Sequence, residues 1–111
     1  ARFEQFGLDY YTSFTMGQRH INNVNLILYN RDDAAMVANA RALFRTLVAD
    51  ARERGYGEYR THLDFMQDVA DSYDFNDHAL GRLNTRVKDL LDPNGILAPG
   101  KNGIWPRAYR R

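Results

Sequence analysis

The chain contains two β-rich runs and no third, and this limits what it can fold into more than any other feature. Residues 10–16 and 21–30 are dense in Tyr, Thr, Phe, Val, Ile and Leu, and Gly17-Gln18-Arg19-His20 between them predicts a β-hairpin. A two-stranded sheet is marginal in water, and each edge presents unpaired backbone N–H and C=O groups. Further strands are therefore expected, either from partner chains or from a longer polypeptide of which these 111 residues are the end. The opening Ala1-Arg2-Phe3-Glu4-Gln5-Phe6-Gly7 points to the second case. It reads as the last turn or two of a helix closing at Gly7, with no initiator Met, no signal pattern and no capping residue, so a cut start at Ala1 is expected.

Alternation along the two runs sorts their faces. Tyr10, Phe14 and Met16 with Val24, Leu26 and Leu28 are expected to make one apolar face. Ser13, Thr15, Asn23 and Asn25 would then share the other with Tyr11, Ile21, Ile27 and Tyr29. That second face is mixed, and is either solvent-facing surface or the wall of a pocket.

The rest of the chain carries helical periods. After the cap-rich Asn30-Arg31-Asp32-Asp33, apolar residues from Met36 through Ala51 recur at three- and four-residue steps and end in Arg52, Arg54 and Gly55, an amphipathic helix. Gly55-Tyr56-Gly57 breaks it. Leu63, Met66, Val69, Ala70 and Tyr73 predict a shorter helix capped by Thr61, and Asn76 or Asp77 opens a third, with Leu80, Leu83, Val87, Leu90 and Leu91 on one side. Asp92-Pro93-Asn94-Gly95 stops it, and the tail to Arg111 is expected to be irregular. The fold class is therefore α+β.

Composition excludes several functions. Lys plus Arg number 15 against 14 Asp plus Glu, so no single-sign field exists to hold a nucleic acid or an acidic membrane surface, and neither is expected as a partner. There is no Cys, which rules out disulfides, thiolate metal sites and Cys nucleophiles. No apolar run approaches the roughly 20 residues of a spanning helix, so a soluble chain is expected. His20, His62 and His78 have no metal-binding spacing, and the Asp68, Asp71, Asp74, Asp77 series reads as a solvated helix surface, so no metal is expected. There is no nucleophile elbow, phosphate loop or dinucleotide fingerprint. Patterns alone leave an α+β fragment of undetermined role.

Two motifs carry a resemblance. Gly55-Tyr56-Gly57-Glu58-Tyr59-Arg60-Thr61-His62, followed by Asp92-Pro93-Asn94-Gly95-Ile96-Leu97-Ala98-Pro99-Gly100-Lys101-Asn102-Gly103-Ile104-Trp105-Pro106, resembles the C-terminus of the vanillyl-alcohol oxidase family. These flavoproteins, which include eugenol oxidase and the flavoprotein subunit of p-cresol methylhydroxylase, oxidise para-substituted phenols. The Asp-Pro-Asn-Gly ending alone would indicate only the wider FAD-linked oxidases, whereas the Tyr-Arg pair is the narrower signal. The resemblance implies that residues 1–55 are the last part of a ferredoxin-like cap over the active site. Residues 56–111 would be the helical C-terminal segment of an FAD-binding domain of the p-cresol methylhydroxylase type. The missing strands would then lie upstream.

The resemblance also implies roles. Tyr59 and Arg60 match the pair that binds substrate as phenolate, and Lys101 matches a basic residue placed against the flavin, a task Arg60 could share. Ser13 and Thr15 fall where the cap sheet faces substrate, His62 either orients the site or fills a polar core position, and Trp105 is expected to pack. Asn22-Asn23 stands where relatives often carry paired histidines, a departure that bears on substrate preference. The implied cofactor is FAD, with any covalent attachment residue upstream of this chain. The implied partners are a small phenolic substrate, the remainder of the flavoprotein chain, further copies in a dimer or larger homo-oligomer, and oxygen or a cytochrome as electron acceptor. A cytoplasmic location is expected. The near-zero net charge suits small neutral phenols, and the fragment by itself is expected to be inactive. The competing expectation is a stand-alone α+β module that binds a small molecule or a partner without chemistry.

Overall fold

A computed structural model describes residues 2–110; Ala1, on which the expectation of a cut start falls, lies outside the described residues, as does Arg111. The chain is α+β and divides into two compact units, 1–47 and 48–111.

The first unit opens with the short helix α1 (Arg2–Gln5), which ends as its sequence predicts. Leu8 N–H reaches back to Phe3 C=O (3.1 Å) and Gly7 N–H to Glu4 C=O (3.0 Å), the paired bonds of a Schellman closure. Strands β1 (Asp9–Met16) and β2 (Ile21–Leu28) follow as an antiparallel hairpin, the only sheet among the described residues. Helix α2 (Ala34–Glu53) is capped by Asp33, whose carboxylate accepts the Ala35 and Met36 N–H groups at 2.9 and 3.1 Å. The core is small. Leu8, Ala40 and Leu43 are buried, with Phe3, Phe6, Ile27, Met36 and Leu47 packed around them, and Phe3 stacks on Tyr10 with ring centroids 4.4 Å apart.

The register corrects the expected faces. Met16 pairs with Ile21 across the four-residue loop, and every further pair follows, including Thr15 with Asn22, Ser13 with Val24 and Phe14 with Asn23. Residues directly opposite share a face, so an even-numbered residue of β1 lies beside an odd-numbered one of β2. Ser13 and Thr15 therefore stand with Tyr11, Asn22, Val24, Leu26 and Leu28. Tyr10, Phe14 and Met16 stand with Ile21, Asn23, Asn25 and Ile27. The latter face carries the core contact of Ile27 and a polar row in which Asn25 donates to Asn23 and Asn23 to Thr12.

In the second unit, α2 ends on Gly55, whose φ of 75° lies in the left-handed region that Gly alone enters freely. Gly55 N–H bonds Arg52 C=O and Tyr56 N–H bonds Ala51 C=O, so the helix is closed off. A 3₁₀ turn at Leu63–Phe65 leads into α3 (Met66–Ser72). The expected cap shifts by one residue: His62, not Thr61, accepts the Asp64 N–H through Nδ1 at 3.2 Å, because the 3₁₀ turn begins at Leu63. Helix α4 (Phe75–Leu91) follows, with Arg52 bonded to the Asp74 carboxylate just ahead of it. Asn76, Asp77 and His78 take φ of 49, 53 and 54°, and these are the non-glycine types that enter the left-handed region most readily. Phe65, Met66 and Val69 are buried, whereas α4 buries no residue at all.

The tail after α4 is organised by one carboxylate. Asp92 is buried, accepts the Ile96 and Leu97 N–H groups at 3.0 Å each, and pairs with Lys88 at 2.6 Å. The Lys88 ammonium also donates to Leu97 C=O. Two further 3₁₀ turns, Lys101–Gly103 and Arg107–Tyr109, complete an otherwise irregular tail. No helix among the described residues is long and apolar enough to cross a membrane.

Candidate functional site

Closure of α2 at Gly55 releases the chain into a short strap, residues 57–61, that carries the Tyr-Arg pair. No backbone–backbone hydrogen bond among the described residues holds Gly57, Glu58, Tyr59 or Arg60. The tie comes from a side chain: Tyr73, at the end of α3, donates its hydroxyl to Glu58 C=O at 2.7 Å.

The strap forms one wall of an open cavity of about 540 Å³. Glu58, Tyr59 and Thr61 line that wall, α3 and α4 supply residues such as Tyr73 and His78, and the segment Asn102–Ile104 closes another side. Arg60 leans over its neighbour, with the guanidinium carbon 5.8 Å from the Tyr59 ring centroid, within the range of a cation–π contact. Tyr59 is 76% exposed. Arg60 has no carboxylate partner among the described residues, so its charge remains available to an anion.

Glu58 behaves differently. Partial burial pushes its carboxyl above the ordinary value of 4.5, because the charged form loses hydration there. The Thr61 hydroxyl draws it partway back, but that oxygen is itself buried and meets no partner at full hydrogen-bonding geometry among the described residues.

Lys101 is exposed on the turn that leads into the cavity wall. The turn is tightly tied. Lys101 N–H bonds Ala98 C=O, Gly100 N–H bonds Ile104 C=O, and Trp105 donates its indole N–H to Gln67 on α3 at 2.8 Å. The Trp105 ring lies over Gly100, where a Cβ would come within 2.6 Å of it, so Trp105 packs as expected. Lys101 has no ion-pair partner among the described residues.

The structure thus brings Tyr59 and Arg60 together and sets Tyr59 on the same cavity as the residues after Lys101, while the Arg60 and Lys101 side chains do not line it. Ser13, half-buried, and Thr15, exposed, belong to the hairpin of the other unit. His62 is exposed and caps the 3₁₀ turn. Two participants escape sequence reasoning. Tyr73 is disguised as an apolar position of a helical period, and Glu58 gives no sign in the sequence of being half-buried.

The family model described as FAD linked oxidases, C-terminal domain, matches residues 2–102. The flavoprotein subunit of 4-cresol dehydrogenase [hydroxylating] from Pseudomonas putida is 35% identical over 100 residues, covering 90% of this chain and 19% of that protein. Among solved structures, 4-ethylphenol oxidase from Gulosibacter chungangensis in complex with isoeugenol superposes with a TM-score of 0.94 at 41% identity, over 98% of this chain and 21% of that one. Substrate-bound p-cresol methylhydroxylase gives a TM-score of 0.87 at 34% identity, over 94% and 20%. The chain spans about a fifth of the length of these relatives.

Proposed function

The chain belongs to the FAD linked oxidases through their C-terminal domain, and from that premise we propose that it is the C-terminal part of a flavoenzyme oxidising para-substituted phenols. The substrates are 4-alkylphenols, the class to which the 4-cresol and 4-ethylphenol in the names of its relatives belong, together with 4-hydroxybenzylic alcohols. Residues 1–55 are assigned to the end of the cap and residues 56–111 to the returning segment of the FAD domain. FAD is the cofactor of the family.

The observation that carries this reading is the Arg60 guanidinium, without a carboxylate partner among the described residues, stacked toward the ring of Tyr59, which itself lines an open cavity. A phenol ionises near pH 10, and an adjacent cation lowers such a pKa by about 1 to 3 units. Arg60, with the Tyr59 hydroxyl as a second donor, holds the substrate oxygen as phenolate. Electron donation from that oxygen through the ring weakens the para-benzylic C–H bond, and loss of hydride leaves a quinone methide that water or another nucleophile traps.

The residues present fit a flavin. Lys101 offers an exposed cation on a fixed turn, and the buried Thr61 hydroxyl, close to the Glu58 carboxyl, adds a polar atom to the cavity wall. FAD, when bound, accepts the hydride. Lys101 would offset negative charge on such a group, and a fixed cation in a water-poor site does so with little reorganisation. Ser13 and Thr15 are assigned to the substrate side of the cap sheet, and the register adds Asn22 to their face. The resemblance also carries assembly as a homo-oligomer, with oxygen or a cytochrome taking the electrons.

The test is Arg60→Ala in the full-length flavoprotein. The spectral shift of a bound phenolic inhibitor is expected to weaken and its affinity to fall by roughly 10-fold or more, as for loss of a charge-assisted bond. A variant that binds phenolate and is reduced by substrate at the parent rate overturns the assignment.

A further inference from the structure

We infer that Tyr73 is a positioning residue for the phenolate-binding pair, acting through the peptide that joins Glu58 to Tyr59. The inference rests on the phenolate reading of Tyr59 and Arg60 and assigns them a support outside the strap. A peptide group is planar, so the Glu58 carbonyl and the Tyr59 N–H turn as one unit. Fixing that carbonyl fixes the plane in which the chain enters Tyr59 and so narrows the directions open to the Tyr59 and Arg60 side chains.

Three observations converge on Tyr73. The strap has no backbone–backbone hydrogen bond of its own from Gly57 to Arg60 among the described residues, so nothing in a helix or sheet ladder sets its orientation. The Tyr73 hydroxyl donates to the Glu58 carbonyl at 2.7 Å, a full-strength O–H···O geometry. The tip of the ring reaches that carbonyl only because residue 57 is glycine: a Cβ there would lie 2.6 Å from the Tyr73 hydroxyl and 2.9 Å from two of its ring carbons. The other end of Tyr73 is anchored, since its N–H bonds Ala70 C=O as α3 closes. Gly57 and Tyr73 therefore work as lock and key on the one peptide that precedes the pair. Loss of the bond is expected to loosen the orientation of the strap, with Gly55 and the 3₁₀ turn at Leu63–Phe65 still holding its two ends.

The test uses the full-length flavoprotein and two probes, 4-bromophenol and its methyl ether 4-bromoanisole. The two share the ring and its bromine and neither has a para-benzylic hydrogen; the ether is larger by one methyl group, and only the phenol can bind as phenolate. In Tyr73→Phe the dissociation constant for 4-bromophenol is expected to rise by about 3- to 10-fold, the worth of one hydrogen bond, while that for 4-bromoanisole and the FAD content stay at parent values. Gly57→Ala, which drives the hydroxyl off the carbonyl without altering Tyr73, is expected to shift the ratio of the two constants in the same direction. An unchanged ratio in both variants overturns the inference, as does an equal loss of affinity for phenol and ether, which would mark a general structural role. Arg60→Ala separates the levels. If it collapses the ratio and Tyr73→Phe does not, the positioning role alone falls; if it leaves the ratio intact, the phenolate reading falls and this inference with it.

Discussion

At the scale of single residues, two neighbours on the strap carry opposite electrostatic designs. Arg60 keeps its charge at the surface with no carboxylate partner, whereas Glu58 is driven by burial toward its neutral form. A carboxyl whose pKa is raised on folding contributes stability that is fully present below the unfolded value, near 4.5, and is lost as pH rises through the higher folded value. Glu58→Gln removes that titration. In the full-length flavoprotein the variant is expected to match the parent melting temperature in acid and to exceed it slightly above the carboxylate range, the gain being small because Glu58 is only partly buried. A constant difference across the whole pH range would show that Glu58 does not titrate with folding. The Tyr59-Arg60 pair stood out only through the resemblance of its motif to a known family, since no period or spacing of its own singles it out. Tyr73 did not stand out, because a helical period reports which side chains are apolar and says nothing of where a hydroxyl will find its acceptor.

Secondary-structure elements were readable where a period or a cap dictated them. The long run from Met36 to Ala51 became α2, capped by Asp33 and closed at Gly55, because amphipathic spacing, N-cap chemistry and a C-terminal glycine all agreed there. The hairpin was found but its faces were exchanged, since pairing parity depends on the number of loop residues as well as on alternation within each strand. Four loop residues place Asn22, not Asn23, beside Ser13 and Thr15. The Asp-Pro-Asn-Gly segment proves to be more than a helix stop. Its Asp92 carboxylate gathers the Lys88 ammonium and two N–H groups, and the Lys88 bond is the main reason its pKa is held below the usual range. A lowered carboxyl pKa stabilises the fold above the unfolded value and loses that contribution as pH falls through the folded one. Asp92→Asn keeps the shape but strands a nearly buried ammonium, so the melting temperature is expected to drop by several degrees near neutral pH. The difference should shrink as pH falls below the ordinary value of 3.8, because unfolding of the parent then takes up a proton that its folded carboxylate does not hold. Thermal melts of the full-length flavoprotein from pH 7 down through the range below 3.8 check this, and an equal loss throughout would assign the effect to packing.

For the molecule as a whole, the decisive quantity is the apolar surface left uncovered in each unit. In the first, hairpin residues Tyr11, Val24, Leu26 and Leu28 share one face and are 46 to 60% exposed. In the second, Leu80, Leu83, Val87, Leu90 and Leu91 along α4 are 45 to 80% exposed, although their spacing is that of a buried helix face. Monomeric proteins rarely leave contiguous apolar patches of that extent in water. The same residues that announced a core in the sequence therefore find too little of one within this chain, because periodicity says that a face will be buried but not what will bury it. The structural relatives are about five times longer, and under the proposed function these faces would meet the rest of a flavoprotein chain. The isolated 111-residue chain is then expected to bind an apolar dye such as ANS, to melt broadly and without a cooperative transition, and to carry no flavin absorbance. Placed in the full-length protein, the same residues should show slow amide hydrogen exchange along α4 and β2, where burial and strand pairing protect the backbone. A sharp calorimetric transition of the isolated chain, with no dye binding, would instead establish a self-sufficient module and remove the argument for a larger partner.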